Sequence, residues 1–418
     1  LEMKDTSTYL LKSVRVTDPM SAWNHQEVDV LIRAGVVEEI DGQIDRIPEG
    51  CRVLEEFTCI SPGWVDPWNH GAKPGEEHHQ TLQEWIAQLA QSGITTVALS
   101  PTKSQCIEQV AGVDYRPFSH QMDGISVHSF APHSHKMEGQ HMVNYQLLAQ
   151  AGAVGFTDAF PNKVSKALMI ESAKYTSILE GARIWVVLPD PGLGRTFQVW
   201  EGDTALSMGL EGMPMFEERF YLQQLSTLVE YTGKAAVYPL LSSASGLEKW
   251  EAHSGLTLGT AAHYLWWSDK SVAEFNEGYK FWPPLSPHSD QAALVQGLKS
   301  GCISFLCSDH RPYHSDARET AFPDAPFGQS TLPSFSLAGW TRLRSCMQPS
   351  EFIQIISHNS RALLGLPSIR ICPGSEAEFT FWNPEGQTLG ALDSPWANCV
   401  LDGEIQGRMI QGQLHLTE

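Results

Sequence analysis

The chain lacks long hydrophobic runs. No stretch approaches the roughly eighteen consecutive apolar residues of a bilayer-spanning helix, so none is expected. Its first residues, LEMKDTSTYLLKS, have no leader-like apolar core, and Leu1-Glu2 ahead of Met3 reads as a remnant before a native start at Met3. Positive charge is scarce: 28 Lys and Arg face 48 Asp and Glu, a net charge of −20 that argues against nucleic acid or an anionic membrane as partner. The eight cysteines, at 51, 59, 106, 302, 307, 346, 372 and 399, form no C-x-x-C pair. That spacing speaks against a cysteine metal site and for reduced, mostly buried thiols in the cytoplasm. There is no low-complexity tract and no close internal repeat.

What is present suits a large globular α/β chain. With 418 residues, 42% of them hydrophobic and 18% charged, it can bury a sizeable core. Near the N-terminus, YLLKSVRV, VDVLIRAGVVEEI and GCRVLEEFTCI alternate with a period near two, as small antiparallel strands do. SEAEFTFWN, ANCVLDGEIQG and RMIQGQLHL repeat the pattern at the other end. Two such β-rich ends could pair into one small sheet domain, flanking a middle that reads as a parallel α/β barrel.

The middle supports the barrel with repeated helix-glycine-strand units. LQEWIAQLAQSG leads into ITTVALS, MVNYQLLAQAG into AVGFTD, and KALMIESAKYTSILEGA into RIWVVLPD. EERFYLQQLSTLVEYTG leads into KAAVYPLLS, and AALVQGLKSG into CISFLCSD. The loops at 103–124 and 187–216 are long, as on a functional face. In such barrels chemistry sits just past the strand ends. Those ends offer Asp66 and His70, Thr102 and Lys103, Asp158, Asp190, Ser242 and Ser243, then Asp309, His310 and His314.

In that order, PGWVD…H…PGEE, GITTVALSPT, GAVGFTD, WPPLSPHSDQAAL and SDHRPYH resemble the successive motifs of dihydroorotases of the amidohydrolase superfamily. The tail agrees, with HNSRALLGL, PGSEAEFTFWN and the spaced glycines 403, 407 and 412. The resemblance implies an α/β fold in which a (β/α)8 TIM-like barrel over 61–366 carries a small β-sandwich built from residues 3–60 and 367–418, in agreement with the reading of the ends. The resemblance implies a zinc-bound hydroxide acting on a cyclic amide, held by two histidines, a bridging acid, two further histidines and an aspartate. Here Trp68 stands at the first histidine position, Leu188 at the third and Leu240 at the fourth, while His70, Asp158 and Asp309 remain. The implied substrate-binding positions differ too: Ala72, Thr102, Trp282, Ser286 and Tyr313 replace an arginine, two asparagines, an arginine and a histidine. An anionic substrate needs guanidinium or amide donors, so both halves of the implied site read as eroded.

The resemblance therefore points to a non-catalytic dihydroorotase-like protein, not an enzyme, with no cofactor. Its implied partner is the catalytic chain of aspartate transcarbamoylase, in a cytoplasmic homo- or hetero-oligomer. The alternative is an active cyclic amidohydrolase with one zinc held by His70, Asp158 and Asp309. Simpler roles are expected for several residues. His70 would hydrogen-bond Asp309 or Asp66, and the buried acids would pair with a cation, for which Arg311 stands ready beside Asp309. The HSFAPHSH tract (His128, His133, His135) reads as a solvated loop. Ser242 and Ser243 lack a nucleophile elbow and read as strand-end hydrogen-bonding groups, and Trp68 and Trp282 as fillers of vacated volume.

Overall fold

A computed structural model describes residues 7–71, 76–102, 119–159, 164–176, 179, 183–189, 197–247 and 255–417. Five strands come first: β1 (Thr8–Val16), β2 (Glu27–Arg33), β3 (Val36–Asp41), β4 (Arg52–Leu54) and β5 (Cys59–Pro62). The alternation in β1 puts Leu10, Leu11, Val14 and Val16 inside, with a register shift between Leu11 and Val14. Antiparallel pairing, expected throughout, holds for β1–β2 and β2–β3, but β4 and β5 run parallel to β1. Their connections cross over rather than turn back, which a period of two cannot reveal.

Next come β6 (Trp64–Asn69), α1 (Leu82–Gln91), β7 (Ile94–Leu99), β8 (Ser119–Met122) and β9 (Ile125–Ser129). Helix α1 starts on a Thr81–Glu84 capping box and buries Trp85 and Leu89. It ends at Gly93, whose φ of +74° lets the chain turn straight into β7. Helices α2 (Tyr145–Gln150) and α3 (Lys166–Thr176) precede β10 (Ile184–Trp185), followed by β11 (Val199–Trp200), α4 (Asp203–Met208) and β12 (Gly212–Met213). Then come α5 (Glu217–Thr232), β13 (Ala236–Tyr238), β14 (Leu256–Ala261), α6 (His288–Ser300) and β15 (Ile303–Cys307). The chain closes with α7 (Phe335–Leu343), α8 (Pro349–Ile353), α9 (Asn359–Leu363), β16 (Phe379–Leu389), β17 (Val400–Ile410) and β18 (Gln413–Leu416).

The last three strands join the first five in one sheet, ordered β18-β17-β16-β5-β1-β2-β3 with β4 on β1. The Phe379–Pro62 register zips the two ends of the chain together, over a core that includes Val30, Ile60, Phe379 and Phe381. The middle forms two arcs, β6-β7-β9-β8 and β10-β13-β14-β15, parallel except for β8 on β9. Among the described residues, continuous ladders do not close these arcs into a barrel. Single parallel bridges span the gaps, at Ala131–Phe156, Phe156–Ile184 and Asn69–His310. The expected strand AVGFTD is thus reduced to the Phe156 bridge, and the expected barrel to an α/β fold with mixed sheets. Strand β14 (LTLGTA) has no counterpart in the sequence reading, because the residues before it carry no clear helical period. Among the described residues, no helix is long and apolar enough to cross a membrane.

Candidate functional site

The C-terminal ends of β6 and β15 meet in a buried polar network. Asp66, fully buried, accepts from the Ser308 amide at 3.0 Å, the Ser308 hydroxyl at 2.5 Å and the Asn69 side-chain amide at 2.8 Å. Asn69 in turn accepts from the Gly71 amide at 2.8 Å and the Trp85 indole at 3.2 Å. Burial pushes the Asp66 carboxyl up to about 6, against the lowering pull of Ser308 and Asn69. The network ties strand to strand. Ser308, absent from the sequence reading, could have been found as the only hydroxyl beside the SDH acid.

Asp309 lies one residue further along β15's exit, with a φ of 47° and a carboxyl that is 1% exposed. The Arg311 Nε is 3.2 Å from its Oδ1, and the His70 Nε2 approaches the same oxygen at 3.6 Å. The expected histidine–aspartate pairing is thus a close approach just beyond hydrogen-bond range. Burial pushes Asp309 up to about 6, Arg311 lowers it, Asp66 raises it, and the Trp68 indole lowers it a little. Asp158 does not share this network. It accepts from the backbone amides of His133 at 2.8 Å and Ser134 at 2.9 Å, and from the Ser134 hydroxyl. Backbone amides and a hydroxyl from the 133–134 segment thus hold this carboxylate.

That arrangement corrects the reading of HSFAPHSH as a solvated loop. His135 is exposed, but His133 is 1% exposed and wedged between the Tyr145 hydroxyl and the Ser172 hydroxyl, each 3.1 Å from a ring nitrogen. Burial lowers His133 to about 4, so the ring is neutral at physiological pH. The apolar flank of the tract, with Phe130 and Ala131 inside, was the available signal. Ser242 and Ser243 do act as strand-end hydrogen-bonding groups: both donate through amide and hydroxyl to the buried Glu218 of α5.

The opposite side of the mouth is apolar. Leu188 and Leu240 are fully buried. Trp68 stacks on Trp185 with centroids 5.9 Å apart and planes 5° apart, and meets Phe130 edge-on at 5.6 Å. Trp282 donates its indole N–H to the Leu188 carbonyl at 2.9 Å, and Ser286 donates to the Ser242 carbonyl at 2.7 Å. Tyr313 sits 5.0 Å from His79, and Thr102 is half-buried. Ala72, Lys103 and Asp190 lie outside the described residues.

No known family model matches the chain. Along 98% of its length it is 27% identical to a dihydroorotase of Syntrophus aciditrophicus (strain SB), covering 97% of that protein. It is 26% identical over 93% of its length to a dihydroorotase of Caldanaerobacter subterraneus subsp. tengcongensis, covering 93% of that protein. Among solved structures, the L-hydantoinase (dihydropyrimidinase) from Arthrobacter aurescens superposes with a TM-score of 0.76 at 16% identity, covering 97% of this chain and 95% of that one. The dihydropyrimidinase from Brevibacillus agri NCHU1002 superposes at 0.73 with 16% identity, covering 98% and 96%. The structural likeness concerns the fold alone. Together with the full-length sequence likeness, it upholds the resemblance to the dihydroorotase/amidohydrolase family.

These names overturn the expectation that the chain is not an enzyme, because the relatives and neighbours it matches are named as enzymes. They also weigh against expecting no cofactor, since such families are typically metal-dependent. Whether zinc fits here is decided by the donors present. Among the described residues, no group of three or more His, Cys, Asp or Glu side chains is placed to hold a metal ion. Leu188 and Leu240 have no lone pair to give, Asp309 already faces Arg311, and Asp158 faces the His133–Ser134 backbone. The trio His70, Asp158 and Asp309 of the one-zinc reading is therefore not gathered into a site, and the set does not fit the family's zinc.

Proposed function

We propose that this chain is a dihydroorotase-like protein of pyrimidine metabolism, working in the cytoplasm in assembly with the catalytic chain of aspartate transcarbamoylase. On this reading the two arcs are a (β/α)8 barrel over 61–366, and the terminal sheet is a sandwich of 3–60 with 367–418. The carrying observation is a full-length family likeness combined with a filled mouth: Trp68, Leu188, Leu240 and Trp282 are each at most 1% exposed. Any chemistry here does not run through a zinc hydroxide held at positions 68, 188 and 240. What the chain does offer outward is an aromatic face. Phe216 and Phe220 are 52% exposed and Tyr231 68%, beside a groove of about 810 Å³ between α3 and α5 floored by Met169, Ile170 and Leu228. Exposed aromatics of this kind anchor lasting interfaces, which bury upwards of about 1,000 Å².

The test is co-expression with aspartate transcarbamoylase and mass measurement by light scattering. A stable mixed complex that Phe220→Glu dissolves is expected. Separate elution, with the transcarbamoylase fully active alone, would sink the proposal. Dihydroorotate turnover is followed by ultraviolet absorbance in the same preparations, with and without added zinc. A rate abolished by Asp309→Ala would place chemistry at this mouth after all.

A further inference from the structure

We propose that the Arg311 guanidinium is a built-in cation of the mouth, standing against Asp309 in the electrostatic place of the metal that the donor set does not fit. The inference is independent of the assembly reading. Arg311 is only 6% exposed, and its Nε lies 3.2 Å from Asp309 Oδ1, the same oxygen that His70 approaches at 3.6 Å. One carboxylate oxygen thus faces a guanidinium and an imidazole at once.

The backbone around Arg311 is shaped to hold it. Gly328 has a φ of +124°, and a Cβ there would lie 2.3 Å from the Arg311 Cβ and 3.0 Å from its Cδ. Only glycine lets the chain lie flat on the arginine stem. The Arg311 amide donates to the Gln329 carbonyl at 3.0 Å, closing the contact from the other side. This strap, roughly residues 319–330, is itself pinned by two cations through backbone carbonyls. Lys280 donates to the Phe322 and Ala325 carbonyls at 2.5 Å each, and Arg318 donates to the Gly328 carbonyl at 2.6 Å. The Gly328 amide returns a bond to the Lys280 carbonyl at 2.9 Å. A solvated surface arginine would need none of this.

A buried ion pair adds little over an apolar pair, but losing one partner strands the other without compensation. The inference therefore predicts that Arg311 and Asp309 are expendable together and not apart. Arg311→Ala should lower the melting temperature by several degrees. Millimolar methylguanidinium should restore at least half of that loss, and methylammonium should not. Arg311→Ala combined with Asp309→Ala should melt higher than Arg311→Ala alone. The purified wild type should keep its melting temperature on chelation. Should Arg311→Ala not fold, the double variant carries the test: soluble, folded protein supports the proposal and continued misfolding overturns it. The proposal is also overturned if Arg311→Ala melts within a degree of wild type, or if neither methylguanidinium nor loss of Asp309 relieves it. Near-stoichiometric zinc whose removal lowers the melting temperature would overturn it equally.

Discussion

Around the mouth, the side built by β6 and β15 keeps Asp66, His70 and Asp309, whereas the side built by β10 and β13 presents Leu188 and Leu240. Both sides are buried to the same degree, yet they are held by different forces. The polar side is stabilised by partners for its carboxylates: Ser308 and Asn69 on Asp66, Arg311 on Asp309. The apolar side is stabilised by packing, with Trp68 on Trp185 and Trp282 capping the Leu188 carbonyl. A buried imidazole can be replaced by a hydrocarbon wherever neighbours fill the volume. A buried carboxylate cannot be left without a counter-charge or donors, which Ser308, Asn69 and Arg311 supply here.

Four measurements break or sharpen this contrast. Trp68→Ala should have the largest effect, a loss of about 3–5 kcal/mol in urea unfolding, because it empties the stack with Trp185 and Phe130. A loss below about 1 kcal/mol would mean that the apolar side is not packed as core. Leu240→His should cost about 3 kcal/mol, since the imidazole enters a dry pocket without a partner. Added zinc should not recover that loss, because Leu188 supplies no second nitrogen. Recovery by zinc would show the apolar side to be a metal site one residue short.

The third test is pH. The Asp66 carboxyl is raised from 3.8 to about 6, so its stabilising contribution is full below about 3.8 and lost as pH rises through about 6. His133 is lowered from 6.5 to about 4, so its contribution is full above about 6.5 and lost as pH falls through about 4. The two oppose each other in one window. Between pH 7 and pH 4.5, Asp66→Asn should lose about 2 kcal/mol more than wild type on acidification. His133→Asn should shift the slope the other way. Equal slopes in all three proteins would remove both groups from the account. The smallest effect is expected for Ser308→Ala, about 1 kcal/mol, because Asp66 keeps the Ser308 amide and Asn69. A loss as large as that of Trp68→Ala would mean that the polar side, not the apolar one, governs stability.

Much of the fold is legible in local pattern. The helices Leu82–Gln91 and Glu217–Thr232 follow from their apolar spacing and terminal glycines, and the terminal strands from their alternation. Phe156 and Ile184–Trp185 pair only briefly although their sequences are strongly strand-like, because ladder length depends on the neighbouring strand's path. Of the site, residue identity alone shows which positions carry no metal-binding atom. It does not show where the remaining groups point. His133 reads as one of three loop histidines, and its burial comes from Tyr145 and Ser172, which belong to two different helices.

The amino-acid order by itself determined the helix and strand periods, the negative charge, and the absence of imidazole at positions 68, 188 and 240. Each of these is a property of single residues or of short windows. The tertiary structure alone decided that Asp158 turns to the backbone of residues 133 and 134, and that Gly328 lies flat against Arg311. Those contacts join segments brought together only by the fold. A buried charge takes whichever partner the packed chain places beside it.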